Sequence, residues 1–171
     1  MMNIFIIDDD PMQRMITADL LESAGETIHD FDSGSAMLAA IDSIPPDIVL
    51  LDIEMPGLSG IETCQKLRSS GVADAQVIFV SGLDDLETRL TAYEAGGNDF
   101  ISKSTLGPEL LSKVLQAKET ISRKRSLEEQ AQFSRQVAFT AMSTSGEMGV
   151  VLSFMRNAFA AATAEDIARE M

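Results

Sequence analysis

The stretch Ile48-Val49-Leu50-Leu51-Asp52-Ile53-Glu54-Met55-Pro56-Gly57-Leu58-Ser59-Gly60 decides the fold. Its apolar run has no polar alternation, as expected of a strand covered on both faces. The run ends on a carboxylate, Asp52. Ser59 then stands where a helix would be capped, with Ile61, Cys64 and Leu67 recurring on one face.

The same strand-then-helix grammar recurs on either side. Asn3–Ile7 reads as a strand. Pro11 sits at a helix start, where its fixed φ and missing N–H are tolerated. Met12, Ile16, Leu20 and Ala24 follow at helical spacing, and Gly25 stops the run. Thr27–Phe31 is a weaker strand, and Ser35–Ser43 a helix ended by Pro45-Pro46. Downstream, Gln76–Val80 is a strand ending at Ser81. Asp84 opens a helix carrying Leu86, Leu90 and Tyr93, and Phe100-Ile101 closes a fifth strand before Lys103. Leu110, Val114, Ala117 and Ile121 belong to a further helix. Five β/α units in series predict an α/β fold, a doubly wound parallel sheet with helices on both faces.

In such sheets ligands bind beyond the carboxyl ends of the strands. The polar residues at those ends are Asp8, Asp9 and Asp10, then Asp52, Ser81 and Lys103. Each alone is ordinary: an aspartate at a strand end usually caps a turn, and a lysine is usually a solvated surface group. Together they are hard to obtain by accident. Carboxylates brought close repel, so a cation must neutralise them or their pKa values must rise. Hard oxygen ligands suit Mg²⁺. A carboxylate can attack a phosphoryl group. The charge of the transferring group then calls for Mg²⁺, the Lys103 ammonium and the Ser81 hydroxyl.

Charge and composition narrow the classes further. Residues 1–103 carry 19 acidic side chains against 5 basic ones, and residues 104–171 carry 8 of each. The acidic part would be repelled by nucleic-acid phosphate. Apolar residues make up 45%, enough for a core, and no run is long enough to span a bilayer. The N-terminus shows no signal-peptide pattern, and a single cysteine, Cys64, permits no internal disulfide. Both favour a cytoplasmic protein.

Four blocks resemble the receiver domains of bacterial two-component response regulators, from Asn3 to about Ile121. They are Ile4–Pro11, Leu50–Gly60, Val77–Gly82 and Ala95–Lys103. The resemblance implies a CheY-like, flavodoxin-like sheet of order 2-1-3-4-5. It implies that Asp52 accepts a phosphoryl group from a sensor histidine kinase or phosphotransfer protein. Asp9 and Asp52 would bind Mg²⁺ by their side chains, Glu54 by its backbone carbonyl and Asp8 through water. Lys103 would pair with the phosphate. Ser81 would move toward it and let Phe100 turn inward, repacking the face formed by helix 4, strand 5 and helix 5. Such a domain is a signalling module with only self-catalysed phosphotransfer and slow autodephosphorylation. The family usually places proline after the lysine, often with a cis peptide. Ser104 stands there instead, which leaves open whether that peptide is cis or trans.

Residues 1–121 are thus expected to form the receiver, and 122–171 a helical linker and the start of an output or dimerisation region. No proline or glycine interrupts 109–143. Leu110, Val114, Ala117 and Ile121 fit a coiled-coil seam, and Phe133, Val137 and Ala141 resume it. A break at Ser143–Gly146 precedes an apolar face of Met148, Val151, Leu152, Met155 and Phe159, so the tail is expected to form a homodimer. Thr163–Asp166 looks like a capping box, and the stop at Met171 suggests a longer natural output region. The only histidine is His29, which excludes a histidine phosphotransfer helix in the tail.

Two other functions fit parts of the pattern. Asp8-Asp9-Asp10 with Ser81 and Lys103 is similar to haloacid-dehalogenase-type phosphatases, with Asp8 as nucleophile. That family needs acidic metal ligands beyond the lysine, yet the next aspartate is Asp166. A dimerisation module independent of phosphorylation would leave the acidic set without a purpose.

Overall fold

The structure, a computed structural model, describes residues 2–21, 26–72 and 74–144, without the side chains of 108 and 138–144. Five strands, β1 (Asn3–Ile7), β2 (Thr27–Phe31), β3 (Ile48–Asp52), β4 (Gln76–Ser81) and β5 (Asp99–Ser102), form one parallel sheet in the order β2-β1-β3-β4-β5. The helices are α1 (Pro11–Leu21), α2 (Gly34–Ala40), α3 (Gly60–Arg68), α4 (Leu86–Glu94) and α5 (Leu106–Thr144). The expected flavodoxin-like order and the helical extension are both present.

Successive strand residues face opposite ways, so each strand feeds two cores. Phe5, Ile7, Val49, Leu51, Val77, Phe79 and Phe100 pack with Met37 of α2, Cys64 and Leu67 of α3, and Ala92 of α4. Ile4, Ile6, Ile48, Leu50, Ile78, Val80 and Ile101 pack with Leu21 of α1 and with Leu106, Leu110, Val114, Ala117 and Ile121 of α5. The chain divides into two units after Ser122.

Several expectations are corrected. Leu110, Val114, Ala117 and Ile121 are not a free seam, because all four are buried against the protein's own sheet. Helix periodicity marks a buried stripe but does not name what buries it. On α5, Leu111 and Leu115 are exposed, and in the second unit so are Leu127, Phe133 and Val137. On α1 the buried positions are Thr17 and Leu21, while Met12 and Ile16 face solvent. The N-cap of α4 is Asp85, which accepts the Thr88 N–H at 2.9 Å, rather than Asp84. Leu86, Leu90 and Tyr93 on that helix are exposed. α2 ends at Ala40, short of the prolines. The expectations for Ala24, Gly25, the break at Ser145-Gly146, Met148–Phe159 and Thr163–Asp166 lie outside the described residues.

Candidate functional site

β1, β3 and β5 carry their terminal residues to one end of the sheet. The β1–α1 turn is made by carboxylates: Asp8 Oδ1 accepts the Asp10 N–H at 2.9 Å, and Asp10 Oδ1 accepts that of Met12 at 2.8 Å. Pro11 opens α1, where no intrahelical donor is needed. Asp52 ends β3 and is 3% exposed. Its Oδ1 accepts the Glu54 N–H at 3.3 Å. Gly57 holds the following turn at φ +80°, a conformation that disfavours side chains. Ser59 then caps α3 in a capping box with Glu62.

Carboxylate oxygens of Asp8, Asp9 and Asp52 all lie within 4.8 Å of one another. The Lys103 ammonium sits between two of them, 2.8 Å from Asp8 Oδ2 and 2.9 Å from Asp52 Oδ2. Asp8 and Asp52 are buried and Asp9 is exposed. Burial pushes the Asp52 carboxyl above its ordinary value, and the Asp8 charge adds to that. The hydrogen bond and charge of Lys103 pull the other way without reversing it. Burial works against the charge on Lys103, but its hydrogen bonds to Asp8 and Asp52 raise its pKa overall.

Ser81 and Phe100 lie on the α4 side of the sheet, both buried. Ser81 Oγ accepts the Leu83 N–H at 3.1 Å. The guanidinium of Arg89, paired with Asp84, lies 4.7 Å from the centroid of the Phe100 ring. Of the sequence-derived set, Asp8, Asp9 and Asp52 are thus within reach of one another, and Lys103 reaches Asp8 and Asp52. Ser81 ends β4 and Phe100 lies in β5, both buried, and Glu54 touches Asp52 through its main chain.

Residues 4–115 of the chain, which carry this acidic trio and lysine, match the family model of the response regulator receiver domain. The chain belongs to the response regulator receiver domain family. This receiver is 30% identical over 115 residues to the DNA-binding dual master transcriptional regulator RpaA of Synechocystis, covering 67% of this chain and 48% of that protein. It is 32% identical over 100 residues to the DNA-binding transcriptional regulator NtrC of Salmonella typhimurium, covering 58% and 21%. The chain therefore spans half or less of the length of these relatives. Among solved structures, the response regulator TrrA of Thermotoga maritima, crystallised with Mg²⁺–BeF, superposes with a TM-score of 0.62 at 31% identity, covering 68% of this chain and 99% of that one.

Three features of the receiver escaped sequence reasoning. Gly60 packs so closely that a Cβ on it would lie 2.0 Å from the Asp52 carbonyl oxygen. Where the family has proline, a 3-10 turn spans Lys103–Thr105, with the Ser102 and Ser104 hydroxyls 2.8 Å apart. There is no cis peptide among the described residues. The third feature is Arg14, which bonds to the backbone of the acidic turn.

The raised Asp52 pKa has a consequence for stability. An acid whose folded pKa exceeds its unfolded one holds its proton longer when folded. Stability therefore falls as pH rises from the unfolded value of about 3.8 toward the folded one, and stays lowered above it. Asp52→Asn removes this cost. In metal-free buffer at neutral pH it is expected to stabilise the receiver by about 1 kcal/mol, a gain absent below pH ~3.8. Denaturant unfolding at the two pH values checks this; a variant less stable than wild type at neutral pH contradicts it.

Proposed function

We propose that Asp52 accepts a phosphoryl group from a sensor histidine kinase or a phosphotransfer protein and so controls a C-terminal helical output. The observation that supports this best is the Asp8–Asp9–Asp52 cluster with the Lys103 ammonium bonded to two of its members.

The donor set suits Mg²⁺, being all hard oxygen and rich in negative charge. Asp9 and Asp52 would hold the ion by their side chains, the Glu54 carbonyl would add a ligand, and Asp8 would act through water. When bound, Mg²⁺ supplies positive charge to offset the carboxylates and the phosphoryl oxygens. TrrA, the Thermotoga relative, was crystallised with Mg²⁺ and BeF. Asp52 Oδ1 or Oδ2 attacks phosphorus, the donor's leaving group departs, and an acyl phosphate remains. Lys103 then exchanges a carboxylate partner for a phosphoryl oxygen, already aimed at the site.

Ser81 would move toward the phosphoryl group and donate its hydroxyl to it; Phe100, expected to turn inward, is already buried at 2% exposure, so the ring would repack rather than turn in from solvent. Phosphorylation thereby favours one of two packings of the α4–β5–α5 face. Exposed Leu86, Leu90 and Tyr93 on α4 and Leu111 and Leu115 on α5 give that face apolar surface for partners. Residues 1–121 form the signalling module and 122–171 lead to the output. The acidic first part argues against nucleic-acid binding by that part. No helix among the described residues is long and apolar enough to cross a membrane.

A receiver retains one phosphoryl group per chain and turns over slowly; a phosphatase built on Asp8 would hydrolyse a small phosphomonoester continuously. Incubation with acetyl phosphate and Mg²⁺ is expected to give stoichiometric labelling without sustained phosphomonoester hydrolysis. Sustained hydrolysis lost with Asp8→Asn but kept in Asp52→Asn would reverse the assignment.

The helical tail is the proposed dimerisation element, with Leu127, Phe133 and Val137 exposed on its first part. Light scattering is expected to give twice the chain mass. A monomer mass both with and without phosphorylation would defeat this.

A further inference from the structure

We propose that Arg14 is a positioning residue that sets the direction of the Asp9 carboxylate and thereby tunes divalent-cation affinity, an inference that rests on the metal-binding role proposed above. Arg14 lies one turn into α1, and its side chain is 16% exposed. Its Nη1 donates to the Asp8 carbonyl at 2.8 Å and to the Asp9 carbonyl at 3.3 Å. Its Nε donates to Asp30 Oδ2 at 3.3 Å, at the end of β2.

The two carbonyls matter because of where they sit. The Asp8 carbonyl belongs to the peptide plane before the Asp9 Cα, and the Asp9 carbonyl to the plane after it. Two rigid planes meeting at one Cα leave only φ and ψ free. Bonding both carbonyls to one guanidinium fixes both angles, and with them the line along which the Asp9 side chain projects. Asp8 and Asp52 are held by burial and by Lys103, whereas Asp9 is the exposed member of the trio. Its placement therefore depends most on the backbone beneath it. Asp30 steadies the far side of the guanidinium. The planar fork suits this task; an ammonium offers a point charge without the fork geometry.

Charge and position make opposite demands, which gives the test its sign. As a mere positive charge near the cluster, Arg14 would repel a cation, and removing it would tighten Mg²⁺ binding. As a positioning group, it strengthens binding, and outer-shell partners of metal ligands typically matter by about 10- to 100-fold.

Isothermal titration of the metal-free full chain with MgCl₂ reads this directly. Arg14→Met is expected to raise the Mg²⁺ Kd about tenfold. Arg14→Lys, which keeps the charge and most of the stem, is expected to weaken binding similarly. Unfolding midpoints in EDTA report any general loss of stability. Unchanged or tighter Mg²⁺ binding by the folded Met or Lys variant overturns the proposal, whatever the midpoint does. If wild type itself shows no Mg²⁺ binding, the metal-binding role fails, and this proposal with it. Should Arg14→Met not fold, Arg14→Lys alone decides.

Discussion

Lys103→Ala is expected to lower the rate of Asp52 phosphorylation by about a hundredfold or more while Mg²⁺ affinity holds or rises. The Nζ atom is 2.8 Å from Asp8 Oδ2 and 2.9 Å from Asp52 Oδ2. Charge developing on the phosphoryl oxygens next to Asp52 would therefore meet a cation already in place. Loss of one such preorganised donor typically costs about 10²- to 10³-fold. The proposed metal ligands, the Asp9 and Asp52 carboxylates and the Glu54 carbonyl, would remain. Removing a neighbouring positive charge favours a second cation, so binding and chemistry are expected to move apart. Mass spectrometry of adduct formation against time, beside calorimetric Mg²⁺ titration, separates the two. A variant that labels within threefold of the wild-type rate would remove Lys103 from the phosphoryl step.

Gly60→Ala is the second large effect. The added Cβ would meet the Asp52 carbonyl oxygen at 2.0 Å, and the Asp52 carbonyl carbon and Ile53 Cα at 2.8 Å. All three are main-chain atoms, so no side chain can swing aside. Either α3 withdraws or β3 bends at Asp52. Overpacking of this kind costs about 3 kcal/mol or more. Two other glycines calibrate the expectation. Gly57→Ala has open space but a φ of +80°, so about 1 kcal/mol is expected. Gly71→Ala meets nothing within 4 Å and has no positive φ, so its effect should stay within about 0.5 kcal/mol. Urea unfolding of the three variants is expected to rank them in that order. Gly60→Ala as stable as Gly71→Ala would contradict the close packing of α3 on the end of β3.

Much of this was legible in the chain because the sheet is buried on both faces. Such strands are continuous apolar runs, and their first polar residue marks the edge where ligands bind. Asp8, Asp52 and Ser81 were found by that rule, and Lys103 stands one residue past the first polar residue of β5, Ser102. What the chain did not disclose follows from the same physics. Leu110, Val114, Ala117 and Ile121 repeat as a coiled-coil seam would, since a helix lying on a sheet and a helix lying on another helix bury the same kind of stripe. Met12 and Ile16 share a spacing with Leu20, yet the face of α1 turned inward is that of Thr17 and Leu21. Gly60 and Arg14 act through backbone contacts, which no periodicity records. Arg14 carries one faint signal: a cation one turn into the helix that follows the acidic run, within reach of that run's carbonyls. At the position of the family's proline, the hydroxyls of Ser102 and Ser104 meet across the 3-10 turn, a pairing that only the folded chain brings together.

The central claim is that Asp52 itself carries the phosphoryl group. Intact-mass measurement after incubation with acetyl phosphate and Mg²⁺, followed by peptide mapping, tests it most directly. A single adduct of about +80 Da, the mass added by one phosphoryl group, is predicted on the Asp52 peptide of the wild type and on no peptide of Asp52→Asn. An Asp52→Asn protein that still gains the adduct, or a wild type that never does, would contradict it.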